Sequence, residues 1–389
     1  MAEVGANLQI ADSDHDAIVH ACRRQRIDLV VIGNEDPLAA GLVDRLAVEG
    51  IAAFGPSRSA AEIEWSKVFA KEFMTRHGIP TAGFAVFDDI GHAGEYVREQ
   101  GQAPVIKADG LARGKGVMVP ATITEALDAL TAIMEHRIFG DAGERVVVED
   151  RLRGPEVSAH AFTDGRTVAH MPFSCDHKPV FDGNRGPNTG GMGAYSPAGW
   201  LGDAMAAAIC SGITETAVHA LAEEGRPYKG VLFPGIMVTD RGPVVIEFNS
   251  RFGDPEAEVL LPRLESDLLD VLWAVASNTL DQIDVRWSND AAVGVVLASG
   301  GYPGKYETGL PIEGVGNLDE GVLVFHAGTA RDKSGVLVTA GGRVLTVVAT
   351  ASSMEEARAR VYRNIERIRF EGMHYRQDIG LTAVPTANQ

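Results

Sequence analysis

The 389-residue sequence predicts a multidomain protein that combines α/β and α+β parts. Strands and helices alternate near the N-terminus, which is typical of a parallel sheet. The middle of the chain mixes short strands, glycine-rich turns and helices, and the last hundred residues are rich in strands. At this length two or three domains are expected.

Composition argues against several classes of function. The chain carries 35 Lys and Arg against 53 Asp and Glu, a formal net charge of −18, which disfavours nucleic acid or an anionic membrane as the main partner. The three cysteines, Cys22, Cys175 and Cys210, form no metal-spaced pair, as expected of a reduced cytoplasmic protein. The start lacks the features of a signal peptide, and no apolar run reaches membrane-spanning length.

The N-terminal region reads as strand, helix, strand. The apolar run 28–33 predicts a buried strand, residues 36–49 a helix, and residues 51–54 a second strand. Ser59 and Glu62 form a capping box, which predicts one long helix ending at His77.

Further elements follow from the same signals. Strands are predicted at 81–87, 104–108, 145–150, 156–163 and 244–248. Helices are predicted at 93–99, after the capping box of Thr122 and Glu125, at 205–223 and at 354–368. Residues 183–197 are crowded with glycine and proline, which favours an ordered or mobile loop over a helix.

The segment 244–256 carries most of the chemistry. Because side chains alternate across a strand, Glu247, Asn249 and Arg251 are expected on one face. Carboxylate and amide oxygens suit Mg²⁺, and a guanidinium can neutralise a phosphoryl group or an acyl phosphate. The alternative is an edge strand with a solvated polar face.

Residues 105–117 read as a strand, a glycine loop and a second strand. Gly110, Gly114 and Gly116 allow the backbone to close over phosphates, and Lys107 ends the first strand beside them. The order of residues fits neither a Walker A motif nor a dinucleotide fingerprint. A bare hairpin is the alternative.

Two further segments suggest ligand contacts. The apolar strand that ends in the charged hinge 149–156 can offer backbone groups to an adenine edge, and Glu156 can accept hydrogen bonds from ribose. The alternative is a hairpin with a solvated tip. Residues 176–178 precede the glycine-rich stretch 186–195, which is expected to close over a ligand or to form a flexible surface loop.

These motifs resemble the glycinamide ribonucleotide synthetase family of ATP-grasp enzymes, and the resemblance covers most of the chain. The motifs that carry it are 54–56, 66–71, 106–112, 114–117, 176–178, 186–197, 247–256, 301–304, 325–329, 341–345 and 378–380. The run 186–197 discriminates best, because ATP-grasp enzymes in general do not share it.

The resemblance implies an ATP-grasp fold with a truncated Rossmann-like N-terminal domain and a strand-rich C-terminal domain. The boundaries it implies are 1–58, 59–285 and 286–389, with a lid over about 87–154 of the middle domain. The expected N-terminal strand, glycine-rich loop and first helix of the family are missing ahead of residue 28, so we expect weaker binding of phosphoribosylamine and a natural start upstream of Met1.

The resemblance also implies roles for individual residues. The nucleotide-binding residues it implies are Lys67, Lys107, Gly110, Gly114, Lys115, Gly116, Glu149, Leu152 and Glu156. The substrate-binding residues are Glu35, Asp176, Lys178, Asn188, Thr189 and Gly190. Glu247 and Asn249 would hold Mg²⁺ or Mn²⁺, and Arg251, Lys107 and Asp176 would act in catalysis.

The implied reaction joins glycine to phosphoribosylamine at the expense of ATP, through glycyl phosphate, in purine biosynthesis. The expected partners are these small molecules, without nucleic acid or membrane, in a cytoplasmic monomer or weak homodimer. Two rivals remain open: an ATP-grasp ligase for another carboxylate and amine, and a nucleotide-binding protein without turnover. Asn34, Cys175 and Pro179 depart from the family pattern and could shift substrate preference.

Overall fold

The structure, a computed structural model, describes residues 5–112 and 116–381. Its α-helices are α1 (His15–Gln25), α2 (Glu35–Ala39), α3 (Leu42–Val48), α4 (Arg58–Trp65), α5 (Lys67–Arg76), α6 (Ile90–Glu99), α7 (Ile123–Leu130), α8 (Asp203–Ile209), α9 (Thr216–Glu223), α10 (Glu256–Leu260), α11 (Leu268–Ser277) and α12 (Met354–Ile365). Single π-helical turns extend α7 over Thr131–Glu135 and join α8 to α9 over Cys210–Glu215.

The strands are β1 (Leu29–Val31), β2 (Ala52–Phe54), β3 (Phe84–Phe87), β4 (Val105–Ala108), β5 (Val117–Met118), β6 (Val146–Glu149), β7 (Glu156–Ser158), β8 (Ala161–Thr163), β9 (Val168–His170), β10 (Cys175–Asp176), β11 (Pro179–Phe181), β12 (Arg185–Asn188), β13 (Gly193–Ser196), β14 (Gly230–Thr239), β15 (Gly242–Asn249), β16 (Ala291–Ala298), β17 (Val322–His326), β18 (Thr329–Arg331), β19 (Leu337–Thr339) and β20 (Arg343–Ala351).

The N-terminal sheet pairs β1 with β2 in parallel, as the alternation of elements predicts. The expectation that β1 is a buried strand is wrong, because Val31 is 46% exposed and its neighbours are half-buried. Helix α1, which precedes β1, was not expected from the sequence. Asp14 caps it by accepting a hydrogen bond from the Ala17 amide, and Arg26 ends it in the left-handed conformation.

Two helices predicted as continuous are each broken in two. The helix over 36–49 is interrupted at Gly41, whose φ of 86° suits glycine, so that α2 and α3 pack separately. The helix from Ser59 to His77 is interrupted at Ser66, which is extended and caps α5 by accepting from the Phe69 amide. The true cap of α4 is Ser57.

The region of the expected lid has a hydrophobic core of its own. Strands β3, β6, β4 and β5 form an antiparallel sheet in that order. Helices α6 and α7 pack on it, and the buried residues of this cluster lie between 93 and 148. This cluster is separate from the main core. The lid itself stays a prediction.

The next sheet supplies the floor of the site. Strands β15, β14, β8 and β9 lie in that order, and β7 also pairs with β14. All the pairings are antiparallel. Polar side chains of β7 and β15 therefore meet on one face of the sheet, on either side of β14.

The last sheet joins the middle of the chain to its C-terminal part. Its order is β10, β13, β16, β20, β17. Two strands from before residue 286 and three from after it therefore form one sheet. The main core lies beneath this sheet and includes Val293, Val347 and Val361. The predicted boundary at 286 stays a prediction, and the sheet crosses it.

One helical stretch within the described residues, Asp203–Glu223, is long and apolar enough by composition to cross a membrane, with a mean hydropathy of 1.3. Ile213, Val218 and Leu221 from this stretch are almost completely buried in the main core. Part of its apolar surface is thus packed inside the protein.

Candidate active site

Polar side chains from three strands meet over the centre of the floor. Gly235 of β14 lies opposite Glu247 on one side and opposite Ser158 on the other. Because Gly235 has no side chain, it leaves space between its neighbours. The residues that line this cavity include Glu156, Ser158, Asp176, Lys178, Phe233, Glu247 and Asn249. Five of these were predicted from the sequence as ligand or metal contacts.

The cavity is small, at about 30 Å³. Charged side chains fill the space around it. The Nζ of Lys67 lies 3.4 Å from Oε2 of Glu247, and Lys178 lies 3.0 Å from Oδ2 of Asp176. A ligand larger than the cavity therefore requires these pairs to separate or the surrounding elements to open.

Glu247 is held in its ionised form. Burial alone would raise its pKa, but the ammonium groups of Lys67, Lys107 and Lys178 lower the pKa to about 2. Asn249 follows it on the same face of β15, is buried and directs its amide nitrogen toward the Phe233 carbonyl. An ionised carboxylate and a neighbouring amide oxygen are ligands that suit Mg²⁺ or Mn²⁺.

Lys107 projects from β4 into a buried cluster of charges. Its Nζ donates to the Ile246 carbonyl at 2.8 Å and forms an ion pair with Glu149. The other carboxylate oxygen of Glu149 pairs with Lys71 of α5. Burial would raise the pKa of Glu149, and the two lysines lower it below its usual value.

This cluster changes how Glu149 is interpreted. The sequence predicted Glu149 as an adenosine contact, but its carboxylate is engaged by Lys71 and Lys107. Any contact with adenosine would fall to its backbone. Lys71 was not predicted as a site residue. The sequence could have indicated Lys71 as a site residue. It follows Lys67 by four residues and therefore lies on the same face of α5.

The predicted glycine loop is only partly within the described residues. Gly110 has a φ of 147° and packs so closely on Ala142 that an added Cβ would lie 2.7 Å from the Ala142 Cβ. The Gly116 carbonyl accepts from the Ala108 amide at 2.8 Å. Gly114 and Lys115 lie outside the described residues. Leu152 is half-buried in the connection between β6 and β7.

Asp176 and Lys178 form the opposite wall of the cavity. Burial raises the pKa of Asp176 to about 6, although Lys178 opposes the shift. The amide and hydroxyl of Thr189 both donate to the Lys178 carbonyl, at 2.8 and 2.7 Å. Asn188 ends strand β12 and is exposed. The structure thus brings Thr189 beside Lys178, and their assignment to substrate binding stays a prediction.

Arg251 differs from its expected position. Strand β15 ends at Asn249, and the chain then turns, so Arg251 does not continue the strand face. Its guanidinium donates to Glu35 at 3.2 Å, lies 3.7 Å from Glu64, and donates to the Phe252 carbonyl. Two residues predicted separately, Glu35 as a substrate contact and Arg251 as a catalytic group, are therefore direct partners.

Two buried groups near the cavity were missed. Glu256 accepts a hydrogen bond from the Ser158 hydroxyl at 3.2 Å and is almost completely buried. His160 continues the face of Glu156 and Ser158, and its ring stacks on Phe233 with centroids 4.0 Å apart. Burial lowers the pKa of His160 to about 3, so it is neutral at physiological pH. Glu256 ends the motif 247–256 but was given no role there, and no local pattern in the sequence singles out His160.

Three family models match the chain in order. The N domain of phosphoribosylglycinamide synthetase matches residues 1–64, its ATP-grasp domain residues 65–257, and its C domain residues 292–382. The chain is 46% identical over 384 residues to the phosphoribosylamine–glycine ligase of Halalkalibacterium halodurans, which covers 99% of this chain and 89% of that protein. It is 48% identical over 371 residues to the ligase of Agrobacterium fabrum, covering 95% and 87%.

Solved structures agree with these matches. The crystal structure of the phosphoribosylamine–glycine ligase of Thermotoga maritima is 37% identical and superposes with a TM-score of 0.77 over 84% of this chain and 81% of that one. The biotin carboxylase domain of Hydrogenobacter thermophilus 2-oxoglutarate carboxylase is 18% identical, with a TM-score of 0.73 over 93% and 79%, and shares the fold.

The ATP-grasp fold and the family resemblance predicted from the sequence are confirmed by these matches. The three family models together match most of the chain, and a relative that is 46% identical aligns with 99% of it. This chain belongs to the phosphoribosylglycinamide synthetase family.

Proposed function

We propose that this chain is an ATP-dependent ligase that joins glycine to 5-phosphoribosylamine, giving glycinamide ribonucleotide, ADP and phosphate in purine biosynthesis. The observation that carries the proposal is the meeting of Glu156, Asp176, Lys178, Glu247 and Asn249 at one cavity of a family member. Carboxylate, ammonium and amide groups from three strands and the loop after β10 converge there.

The nucleotide would bind between the lid sheet and the floor. Lys67 and Lys107 would neutralise its phosphates, and the loop that includes Gly110, Gly114, Lys115 and Gly116 would close over them. Leu152, the Glu149 backbone and Glu156 would face adenine and ribose. Lys107 already faces the floor strand, because it donates to the Ile246 carbonyl.

Glu247 and Asn249 would hold Mg²⁺ or Mn²⁺, which when bound neutralises phosphate charge. The donor set fits, since Glu247 has a pKa of about 2 and is ionised at any physiological pH. No group of three or more His, Cys, Asp or Glu side chains suited to a metal occurs among residues 5–112 and 116–381. Phosphate and water oxygens would complete the coordination shell, as is usual for Mg²⁺.

The chemistry needs no side-chain nucleophile. A carboxylate oxygen of glycine attacks the γ-phosphorus, the bond to ADP breaks, and glycyl phosphate forms. The amine of phosphoribosylamine then attacks the carbonyl carbon, phosphate leaves, and the amine loses a proton. Lys107 and Arg251 would neutralise transferring phosphate, and Asp176 with Lys178, Asn188, Thr189 and Gly190 would position the substrates, with Glu35 orienting Arg251.

The test is ADP release coupled to detection of glycinamide ribonucleotide. ATP, Mg²⁺, glycine and phosphoribosylamine together should give product, and omission of glycine or phosphoribosylamine should abolish it. Product from another carboxylate and amine, but not from these two, would favour a different ATP-grasp ligase. Binding of a nonhydrolysable ATP analogue without any turnover would favour a nucleotide-binding protein and contradict the proposal.

We further propose that the protein acts in the cytoplasm as a monomer or weak homodimer. Relatives named as ligases of small molecules support the cytoplasmic location. Sedimentation at several protein concentrations checks the oligomeric state. The domain boundaries 1–58, 59–285 and 286–389 are proposals of the same kind, and limited proteolysis with mapping of the cut sites tests them.

A further inference from the structure

Arg343, the first residue of β20, reaches out of the C-terminal sheet to two loops of the site. Its Nη1 donates to the Gly190 carbonyl at 3.0 Å and to the Asp254 carbonyl at 2.8 Å. The same atom lies 2.9 Å from Oδ1 of Asp254, and the side chain is only 22% exposed. One guanidinium therefore holds two segments. They are the stretch 188–191, here called the substrate loop, and the turn that follows β15.

Tyr302 holds the same residue of the substrate loop, Gly190, through its other backbone polar group. Its hydroxyl accepts a hydrogen bond from the Gly190 amide at 3.1 Å. Both glycines at this contact are closely approached by side chains. A Cβ on Gly190 would lie 3.0 Å from Cζ of Arg343, and one on Gly342 would collide with the ring of Tyr302. Both the N–H and the C=O of Gly190 are thus fixed by the C-terminal part of the chain.

Gly190 in turn fixes the wall of the cavity. The preceding residue, Thr189, donates twice to the Lys178 carbonyl and accepts from the Gly191 amide at 3.0 Å. Gly191 lies against the carboxylate of Asp176, since a Cβ on it would be 2.7 Å from Oδ1. That oxygen is buried and has no hydrogen-bond partner among residues 5–112 and 116–381. A shift of Gly190 would therefore move the groups beside the free oxygen of Asp176.

The nucleotide side of the site is built separately. Lys67 begins α5, Lys107 lies on β4 and Glu149 on β6, and the last two belong to the sheet of the expected lid. Lys107 is held by the Ile246 carbonyl and Glu149. These contacts involve no residue of β20 or of the substrate loop.

We infer that Arg343 and Tyr302 are positioning residues through which the C-terminal sheet shapes the glycine and phosphoribosylamine side of the site but not its nucleotide side. The inference rests on the proposed ligase function. It assigns to the C-terminal part a specific role in catalysis. This role is to keep Thr189–Gly191 and the turn at Asp254 in position beside Asp176.

The test compares Arg343→Gln, Arg343→Lys and Tyr302→Phe with wild type in the full-length protein. The controls are Arg363→Gln, an exposed arginine of α12, and Tyr306→Phe, an exposed neighbour of Tyr302. Steady-state kinetics give KM for each of the three substrates, and binding of a nonhydrolysable ATP analogue and the thermal midpoint report an intact nucleotide site and fold.

Arg343→Gln should raise KM for glycine or phosphoribosylamine by about tenfold or more, because charge-assisted hydrogen bonds to two loops are lost. KM for ATP should stay within about twofold. Arg343→Lys should recover part of the loss through its remaining charge, and Tyr302→Phe should show a smaller effect of the same kind. The controls should match wild type. If Arg343→Gln does not fold, Tyr302→Phe, which removes a single hydroxyl, serves as the test variant instead.

Unchanged KM values for glycine and phosphoribosylamine in Arg343→Gln, or in Tyr302→Phe where the arginine variant does not fold, would overturn the inference and leave the ligase function standing. Equal losses for ATP and the other two substrates would also overturn it, since they would indicate a general structural role. Failure of wild type to form glycinamide ribonucleotide would refute the proposed function, and the inference would fall with it.

Discussion

Lys71 donates to the carboxylate of Glu149 at a place where each side chain is less than 5% exposed. The pair joins helix α5 to the end of β6 and so links the floor of the site to the lid sheet. The Thr81 hydroxyl accepts a second hydrogen bond from Lys71 at 2.7 Å. Because Lys107 shares the same carboxylate, Lys71 helps to fix the position of Lys107.

Replacement of Lys71 by Met should lower the free energy of unfolding by at least about 2 kcal/mol, because it leaves Glu149 buried with one cation instead of two. Urea denaturation measures the change. Lys333→Met, which alters an exposed lysine, should stay within about 0.5 kcal/mol of wild type. A loss in Lys71→Met no larger than that of the control would show that Lys107 alone satisfies Glu149.

The same pair gives a pH dependence with a defined sign. Burial, followed by repulsion from Lys107, lowers the pKa of Lys71 to about 8, although Glu149 opposes the shift. Between this value and the ordinary 10.5, the unfolded chain binds a proton that the folded chain does not. The stability of wild type relative to Lys71→Met should therefore rise from pH 8 to 10 and fall as pH drops back through 8. A flat or falling difference would contradict the lowered pKa.

Glu247→Gln or Asn249→Ala should reduce ligase turnover by at least about 100-fold while the fold survives, because metal neutralisation of phosphate is worth several kcal/mol. Turnover is measured across a range of Mg²⁺ and Mn²⁺ concentrations, with circular dichroism as the check on folding. Asp240→Asn, at the exposed turn between β14 and β15, serves as the control. Near-normal turnover of both variants at saturating metal would refute the assignment.

Asp176 should impose an acid limit on activity. Burial raises its pKa to about 6, so the carboxylate that pairs with Lys178 is lost as pH falls through this value. The kcat/KM for glycine or phosphoribosylamine should fall below pH 6 in wild type, and Asp176→Asn should be at least about tenfold less active and lack this limb. Asp203→Asn, on an exposed helix start, should keep the wild-type profile. An unaltered acid limb in Asp176→Asn would assign the limit to another group.

Hydrogen exchange should detect closure of the expected lid. A nonhydrolysable ATP analogue with Mg²⁺ should slow amide exchange in peptides that span residues 106–118, because the loop would become covered by and bonded to phosphate. Peptides from β16, already buried in the C-terminal sheet, should not change. Equal exchange at 106–118 with and without the analogue would argue against a lid there.

The sequence was sufficient for the family and fold because its motifs are contiguous. Glu247 and Asn249 lie two residues apart, and the geometry of a strand alone places them together. The capping box at Thr122 is likewise local, and the structure confirms it, since the Thr122 hydroxyl accepts from the Glu125 amide.

What could not be predicted depends on partners distant in the chain. Ser66 breaks the expected long helix while its hydroxyl donates to Asp109, 43 residues away, at 2.9 Å. The lysine partners of Glu149 and the bond between Arg251 and Glu35 are equally remote in sequence. Propensity and periodicity describe near neighbours only, so a tertiary contact that overrides them is invisible until the fold is known.

The sheet that runs through β10, β13, β16, β20 and β17 has a consequence for synthesis of the protein. As the chain leaves the ribosome, β13 is complete about 100 residues before β16, its partner on one side, which at typical elongation rates is a delay of roughly 5–20 s. Throughout that interval β13 presents an open edge beside apolar side chains. The nascent chain is therefore most prone to mispairing between these two points, and a pause in translation there would lengthen the exposure while a chaperone that covers the edge would shorten it.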